Sequence, residues 1–294
     1  SRTKARARAL FANGVLAGGQ GDFESADRLF EESMEIARTL QDKQGVAVCL
    51  NALAVDARDR GDFSTARSLF EEALLLWKEV GDPAVVARSL SNLASVSKLQ
   101  GDYLQACSLY EECLLIFRKL GDTTGIAWSL NYQGDVMRSQ GDLAAARSLY
   151  QQSLSTFREL GDMWGMAASL ADLGNLARDQ HDYSAAEELY CESIKTFQQL
   201  GHKRGIARVL ECFASLAAAR EPTQALRLTG AAAAVRKLVG APLTSAEQAK
   251  LEEAIEPARR ALSATAGQMA WLEGWTMPID IAVREALKTH SASA

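Results

Sequence analysis

The sequence predicts an all-α protein, a right-handed α-solenoid of about six helical hairpins followed by C-terminal capping helices. Two observations carry that prediction: a self-similar unit returns every forty residues, and inside each unit the apolar residues fall at helical spacing. The unit is plainest in GDFSTARSLFEEALLLWKEVGD, which begins at Gly61. Near copies begin at Gly21, Gly101 and Gly141, with a looser one at His181. Composition agrees, since 48% hydrophobic residues with 5 Pro and 7% aromatics suit a helical protein rather than a disordered one.

Taken in order, each unit divides into two helices. In the second unit the spacing predicts a first helix from about Gly45 to Arg60, with Leu50, Leu53, Ala54 and Ala57 on one stripe. A second helix follows from about Ser64 to Val80, with Ala66, Leu69, Phe70, Ala73 and Trp77 on another. Gly61 supplies the left-handed residue that ends the first helix, and Asp62 favours the positive start of the next. Gly81 stops the second, and Asp82-Pro83 gives an N-cap followed by a proline at the first helical position. Two columns of small residues run through the repeats. Gly14, Ala54, Ala94, Gly134, Gly174 and Ala214 hold one position of the first helices; Ala26, Ala66, Ala106, Ala146 and Ala186 hold one of the second. Bulk there would push packed helices apart. The sixth unit lacks its first Gly-Asp and reads as a terminal repeat. After Gly240 the period fails. Thr244-Ser245-Ala246-Glu247 reads as a capping box, Leu251, Ile255, Ala258 and Leu262 form a stripe despite Pro257, and a short helix runs from about Asp280 to Lys288. The domain expectation is therefore an array over residues 1–244 and a helical cap over 245–294, with Trp271 and Trp275 either part of that cap or a docking surface.

Leu50, Leu53-Ala54, Gly61-Asp62-Phe63, Ala66, Phe70 and Ala73 resemble the signature of tetratricopeptide repeats, a likeness that extends over roughly residues 5 to 240. Two departures stand out: the period is forty rather than about thirty-four, and His181 replaces a turn glycine, a conformation histidine can adopt. The resemblance implies a stack of hairpins with ligands held on the inner wall. The tail from ALRLTGAAAAVRKLVGAP to IDIAVREAL resembles the C-terminal end of large bacterial regulators, in which a DNA-binding or signalling module and often a STAND-type ATPase precede such repeats. That second resemblance implies a sensor or scaffold role. The opening SRTKARARAL lacks an initiator Met, so the chain reads as a piece of something longer.

Catalytic signatures are absent: no G-x-x-x-x-G-K-[ST], no H-E-x-x-H, no G-x-S-x-G and no G-x-G-x-x-G after a strand. His181, His202 and His290 lie far apart, and Glu31-Glu32, Glu71-Glu72 and Glu111-Glu112 recur with the period, as a solvated helix face does. Neither a cofactor, a metal nor an enzymatic activity is expected. A net charge of −5 disfavours nucleic acid. The basic run Arg2, Lys4, Arg6 and Arg8 suits the solvated face of a first helix. No apolar run spans a bilayer. The five cysteines (49, 107, 113, 191 and 212) contain no C-x-x-C pair and read as buried reduced thiols, which places the protein in the cytoplasm.

Binding is the function that remains. The non-core face of the first helices takes Asn51, Val55 and Arg58, then Arg88, Ser91, Ser95 and Lys98. Further along come Trp128, Asn131, Tyr132, Asp135 and Arg138, and last Ala171, Asn175 and Arg178. Arg58, Lys98, Arg138 and Arg178 stand one period apart as a cationic column. That column is read either as a clamp for an acidic or extended peptide or as helix-end charges with internal partners such as Asp135 with Arg138. Trp128 and Tyr132 are either an exposed anchor beside Asn131 or packing for a neighbouring helix. The expected partner is a protein or peptide, or another domain of the same chain. The alternative is a small-molecule effector that controls an attached module.

Overall fold

The computed structural model describes residues 3–291; Arg2 of the basic run and the side chain of His290 lie outside the described residues. Among those residues there are fifteen helices and no strand. They are α1 (Lys4–Gly19), α2 (Phe23–Thr39), α3 (Lys43–Arg60), α4 (Phe63–Val80), α5 (Pro83–Leu99), α6 (Tyr103–Leu120), α7 (Thr123–Gln140) and α8 (Leu143–Leu160). There follow α9 (Met163–Asp179), α10 (Tyr183–Gln199), α11 (Lys203–Ala217), α12 (Pro222–Val239), α13 (Ser245–Ala261), α14 (Ala264–Trp275) and α15 (Ile279–Ser291). The architecture is an all-α helical-repeat solenoid.

The turns explain the element boundaries. Gly61 takes φ 87°, the left-handed conformation that ends α3. Where the register lacks glycine, Gln41 (φ 55°) and His181 (φ 62°) adopt the same conformation. The aspartate after the turn does more than favour a helix dipole. Asp62 Oδ1 accepts a hydrogen bond from the Thr65 N–H at 3.1 Å, and Asp22, Asp102, Asp142 and Asp182 make the same bond three residues ahead. Because the cap residue itself starts the helix, α3 and α4 begin at Lys43 and Phe63, slightly earlier than periodicity alone places them. His202 takes the aspartate's part, its Nδ1 accepting from the Gly205 N–H at 3.0 Å. Asp82 caps α5 with Pro83 at the first turn, as expected.

The chain forms two compact units that divide between Val136 and Met137. In the first, α1/α2, α3/α4 and α5/α6 pack as hairpins, and α2 and α4 also pack against α3 and α5. Phe70, Trp77, Leu50 and Leu90 lie in its core. In the second, α9/α10 and α11/α12 are the corresponding hairpins, with Tyr150, Leu154 and Leu170 clustered together. The small-residue columns are where expected: Ala26, Ala66, Ala106, Ala146 and Ala186 are all 0% exposed, as are Ala54, Ala94 and Ala214.

The tail has one more helix than the sequence suggests. Thr244 and Glu247 form the complete capping box, each side chain bonding the other's backbone N–H (2.9 and 3.2 Å), and Ile255 and Ala258 are buried. Trp271 and Trp275, however, belong to a helix of their own, α14, packed on α12. A Cβ at Gly230 would run into the Trp271 carbonyl, and one at Gly274 into the Arg227 carbonyl, so backbone approaches backbone at that crossing. α13 packs against α11 and α12, and α15 against α10, α11 and α12. The two indole rings are half-buried and stacked, 5.0 Å between centroids, with Lys237 Nζ 5.3 Å from the Trp275 ring centre.

Three surface expectations change. Cys107 is only half-buried, unlike the other four thiols, because α6 turns that position toward its flank. Lys4 and Arg6 are not simply solvated, since they pair with Asp42 (3.1 Å) and Glu32 (2.5 Å). The repeated acids are exposed as expected, yet Glu71, Glu72 and Glu112 also face basic residues within 4.0 Å. No described helix is long and apolar enough to cross a membrane.

Candidate binding face

In the first unit the face is built from α3, α5 and the first part of α7. Helical spacing puts Asn51 and Arg58 on one strip of α3, Arg88 and Lys98 on one strip of α5, and Trp128, Asn131, Tyr132 and Asp135 on α7. Arg58 Nη2 lies 2.8 Å from Asp59, and Lys98 Nζ lies 3.1 Å from Asp135. The sequence pairs Asp135 with Arg138, three residues along the same helix; the carboxylate also receives a lysine from α5. A neighbouring helix brings a long flexible side chain to the acid as readily as its own helix does. Arg88 is exposed and makes no ion pair among the described residues. Asn51 is half-buried, and its Oδ1 is enclosed without a hydrogen-bond partner.

Asn131 departs most from expectation. It is 2% exposed, so it faces the interior of the helix packing and does not lie on the open wall. The next positions reach the surface only in part: Trp128 and Tyr132 are half-buried and stacked at 5.7 Å, and Tyr132 stacks in turn on Tyr110 at 5.8 Å. The aromatic spot is thus the outer end of a column whose inner member, Tyr110, belongs to the core. Burial, followed by the nearby Asp135 charge, pushes the Tyr110 phenol well above its ordinary range and keeps it neutral.

In the second unit the face is carried by the end of α7 and by α9. Arg138 Nε stands 3.6 Å from Asp179, and Arg178 Nη2 stands 3.1 Å from the same residue. Two guanidiniums therefore converge on one carboxylate. Both side chains are about three-quarters covered (25% and 26% exposed), which reduces the entropy lost when they bind. Asn175 is anchored from behind, its Oδ1 accepting the Tyr190 hydroxyl at 2.9 Å. The side-chain amide remains as its donor.

Sequence reasoning missed Asp172, which is 5% exposed and paired with Arg208 of α11, and it missed Asp56 of α3. Both are acids at buried positions of first helices, and Asp56 breaks an otherwise apolar column. Among the described residues no group of three or more His, Cys, Asp or Glu is placed to hold a metal ion. The first unit also contains a cavity of about 230 Å³ between α1, α2 and α3, lined in part by Lys4, Arg8, Phe11, Asp42, Val48 and Cys49.

Paired helices joined by left-handed turns, small residues where they cross, and a polar face on the first helix of each pair define a helical-repeat scaffold. Models of the tetratricopeptide repeat match residues 5–79, 85–159 and 166–200, and the chain belongs to that family. Its repeat fold is generally a non-catalytic scaffold for protein interaction. No curated protein matches the sequence. Among solved structures the chain is similar to BtubC (BKLC) from P. vanneervenii, with 22% identity, a TM-score of 0.54, and 81% of this chain and 89% of that one covered. It is also similar to a Rap protein complexed with Competence and Sporulation Factor, at 16% identity and TM-score 0.62, covering 90% and 75%. A third similar structure is aspartyl phosphate phosphatase F from Bacillus subtilis, at 11% identity and TM-score 0.68, covering 94% and 69%. At these identities the likeness is one of fold.

Proposed function

We propose that the chain is a non-catalytic scaffold that recognises a peptide or protein partner through an acidic group, on the first-helix face of α7 and α9. On this reading it is the regulatory C-terminal part of a larger bacterial signalling or transcriptional regulator, works in the cytoplasm, and uses residues 245–294 as a cap on its repeats. The observation that carries the proposal is the convergence of Arg138 and Arg178 on Asp179. A guanidinium fork binds carboxylate in two parallel hydrogen bonds, and Asn175, its oxygen held by Tyr190, offers its amide hydrogens to a peptide carbonyl. The Rap protein complexed with Competence and Sporulation Factor supports a bound partner as the occupant of such a fold.

Titration with the peptide Ac-Asp-Glu-Asp-Glu-NH2 and with its Asn/Gln counterpart tests the reading. The acidic peptide binds, the neutral one does not, and Arg138→Ala or Arg178→Ala weakens binding roughly ten- to a hundredfold, in line with ~1.5–3 kcal/mol for a hydrogen bond to a charged group. Equal binding of both peptides, or unchanged affinity in both variants, removes the proposal. The alternative reading, a small-molecule effector site, draws on the cavity of about 230 Å³. That volume lies below the ~300–1,000 Å³ of ordinary ligand pockets, while a more open cleft of about 560 Å³ beside Gln224, Arg227 and Glu285 lies within that range.

A further inference from the structure

One column of the first helices is broken by a charge. Val96, Val136 and Leu176 hold equivalent positions of α5, α7 and α9 and are 0%, 0% and 1% exposed. The same position of α3 is Asp56, itself only 7% exposed, and its Oδ2 is enclosed with no hydrogen-bond partner. A carboxylate buried in that way is far more costly than the valine its neighbours use, so the position calls for a counter-charge.

A second column fails beside it. Arg58, Lys98, Arg138 and Arg178 occupy one register position, and the α1 residue at that position is Gly18. Two of these cations reach forward to an acid on the next first helix: Lys98 to Asp135 and Arg138 to Asp179. α1 has no side chain to send. The Asp56 carboxylate lies over Gly18 instead, both oxygens 3.2 Å from where a Cβ would stand. The other charges around Asp56 are Asp27, Asp59, Arg58 and Arg60. The two arginines are already engaged, Arg58 with Asp59 at 2.8 Å and Arg60 with Asp27 at 2.5 Å. Gly18 is half-exposed but closed in by the two Asp56 oxygens and by Ala26 Cβ, 3.6 Å from where its own Cβ would stand, whereas a Cβ on its neighbour Gly19 would meet nothing within 4 Å, so an aliphatic stem has room over Gly19 and reaches the carboxylate from there.

We infer that the seam between α1 and α3 is a cation-binding position, in which Asp56 takes the guanidinium or ammonium group of a basic peptide side chain laid over Gly19. The incoming group fills the place that arginine or lysine fills in later repeats. Its chemistry, an acid that takes a base, is the opposite of that proposed for the arginines of α7 and α9.

The test follows the Asp56 carboxyl carbon by NMR across a pH titration of the intact chain, without peptide, with Ac-Ala-Arg-Ala-NH2, and with its citrulline counterpart. Without peptide the midpoint lies at about 6. The arginine peptide lowers it by one unit or more, equivalent to tenfold tighter binding to the ionised form; the citrulline peptide leaves it in place. Gly18→Arg lowers the midpoint without peptide and blocks the arginine peptide, and Asp56→Asn loses its binding at least tenfold. A midpoint unmoved by the arginine peptide, or moved equally by citrulline, overturns the inference. Arg138→Ala leaves all these readings unchanged, so failure here and failure of the acidic-partner reading are separate results.

Discussion

The Tyr190 hydroxyl, on a side chain with no exposed surface, donates to Asn175 Oδ1 at 2.9 Å. A core residue on α10 thereby fixes which way a surface amide on α9 points. Tyr190→Phe removes the bond with little change in shape. It is expected to cost about 1 kcal/mol by chemical denaturation, the usual worth of a neutral hydrogen bond. It should also weaken the acidic peptide less than Arg178→Ala does, because Asn175 keeps its place and loses only its orientation. A loss equal to that of the arginine variant would show that orientation outweighs charge.

The buried Asp56 makes stability depend on pH. Burial, then the charges of Asp27 and Asp59, raise its folded-state pKa from 3.8 to about 6. Between those values the native state holds the proton and the unfolded state does not. Stability therefore falls as pH rises through that window, and the penalty is complete above about 6. The expected loss is on the order of 2 kcal/mol. Asp56→Val, which restores the residue type of the neighbouring repeats, should raise stability at pH 7.5 and flatten this part of the profile. Urea melts at pH 4.5 and 7.5 check both.

Gly230 and Gly274 let α12 and α14 meet backbone to backbone. A methyl group at position 230 would overlap the Trp271 carbonyl, and backbone cannot swing aside as a side chain can. Gly230→Ala is expected to cost about 3 kcal/mol and to loosen the tail. Gly19→Ala, which meets nothing within 4 Å, should be neutral or slightly stabilising. Equal melting temperatures for the two variants would contradict the crossing.

Thiol reactivity should single out one cysteine. Burial pushes Cys113 up to about 12 and Cys191 to about 11, and it also raises Cys49 and Cys212. Cys107 is raised too, but it alone is half-buried. Because the thiolate reacts and must be reached, brief iodoacetamide treatment of the native protein should label Cys107 first, as mass spectrometry of the digest will show.

The legible parts of the sequence were the local ones. Gly61, Asp62 and Pro83 announce their turns because each acts on backbone within three or four residues, and Thr244 with Glu247 does the same. α14 was hidden because Gly267 and Gly274 lower its helix propensity and its partner surface on α12 is distant in sequence. Asn131 looked like a wall residue because a helical stripe says which residues share a face, not how deeply a neighbouring helix covers it. Asp135 found Lys98 across thirty-seven positions, a pairing that spacing along one helix cannot predict. Asp56 was readable in principle, as the one acid in a column of valines and leucines. It escaped notice because Leu53, Ala54 and Ala57 already completed the apolar stripe around it.

Each capping bond, from Asp22 to His202, closes within three residues of chain, and hairpin partners are adjacent in sequence. Such a polymer settles turn by turn, without waiting for its far end to arrive. Emerging from a ribosome, it can stack one finished pair upon the last. Pulled from one terminus, it should peel away in successive steps of matching length, like a coil paid out one loop at a time.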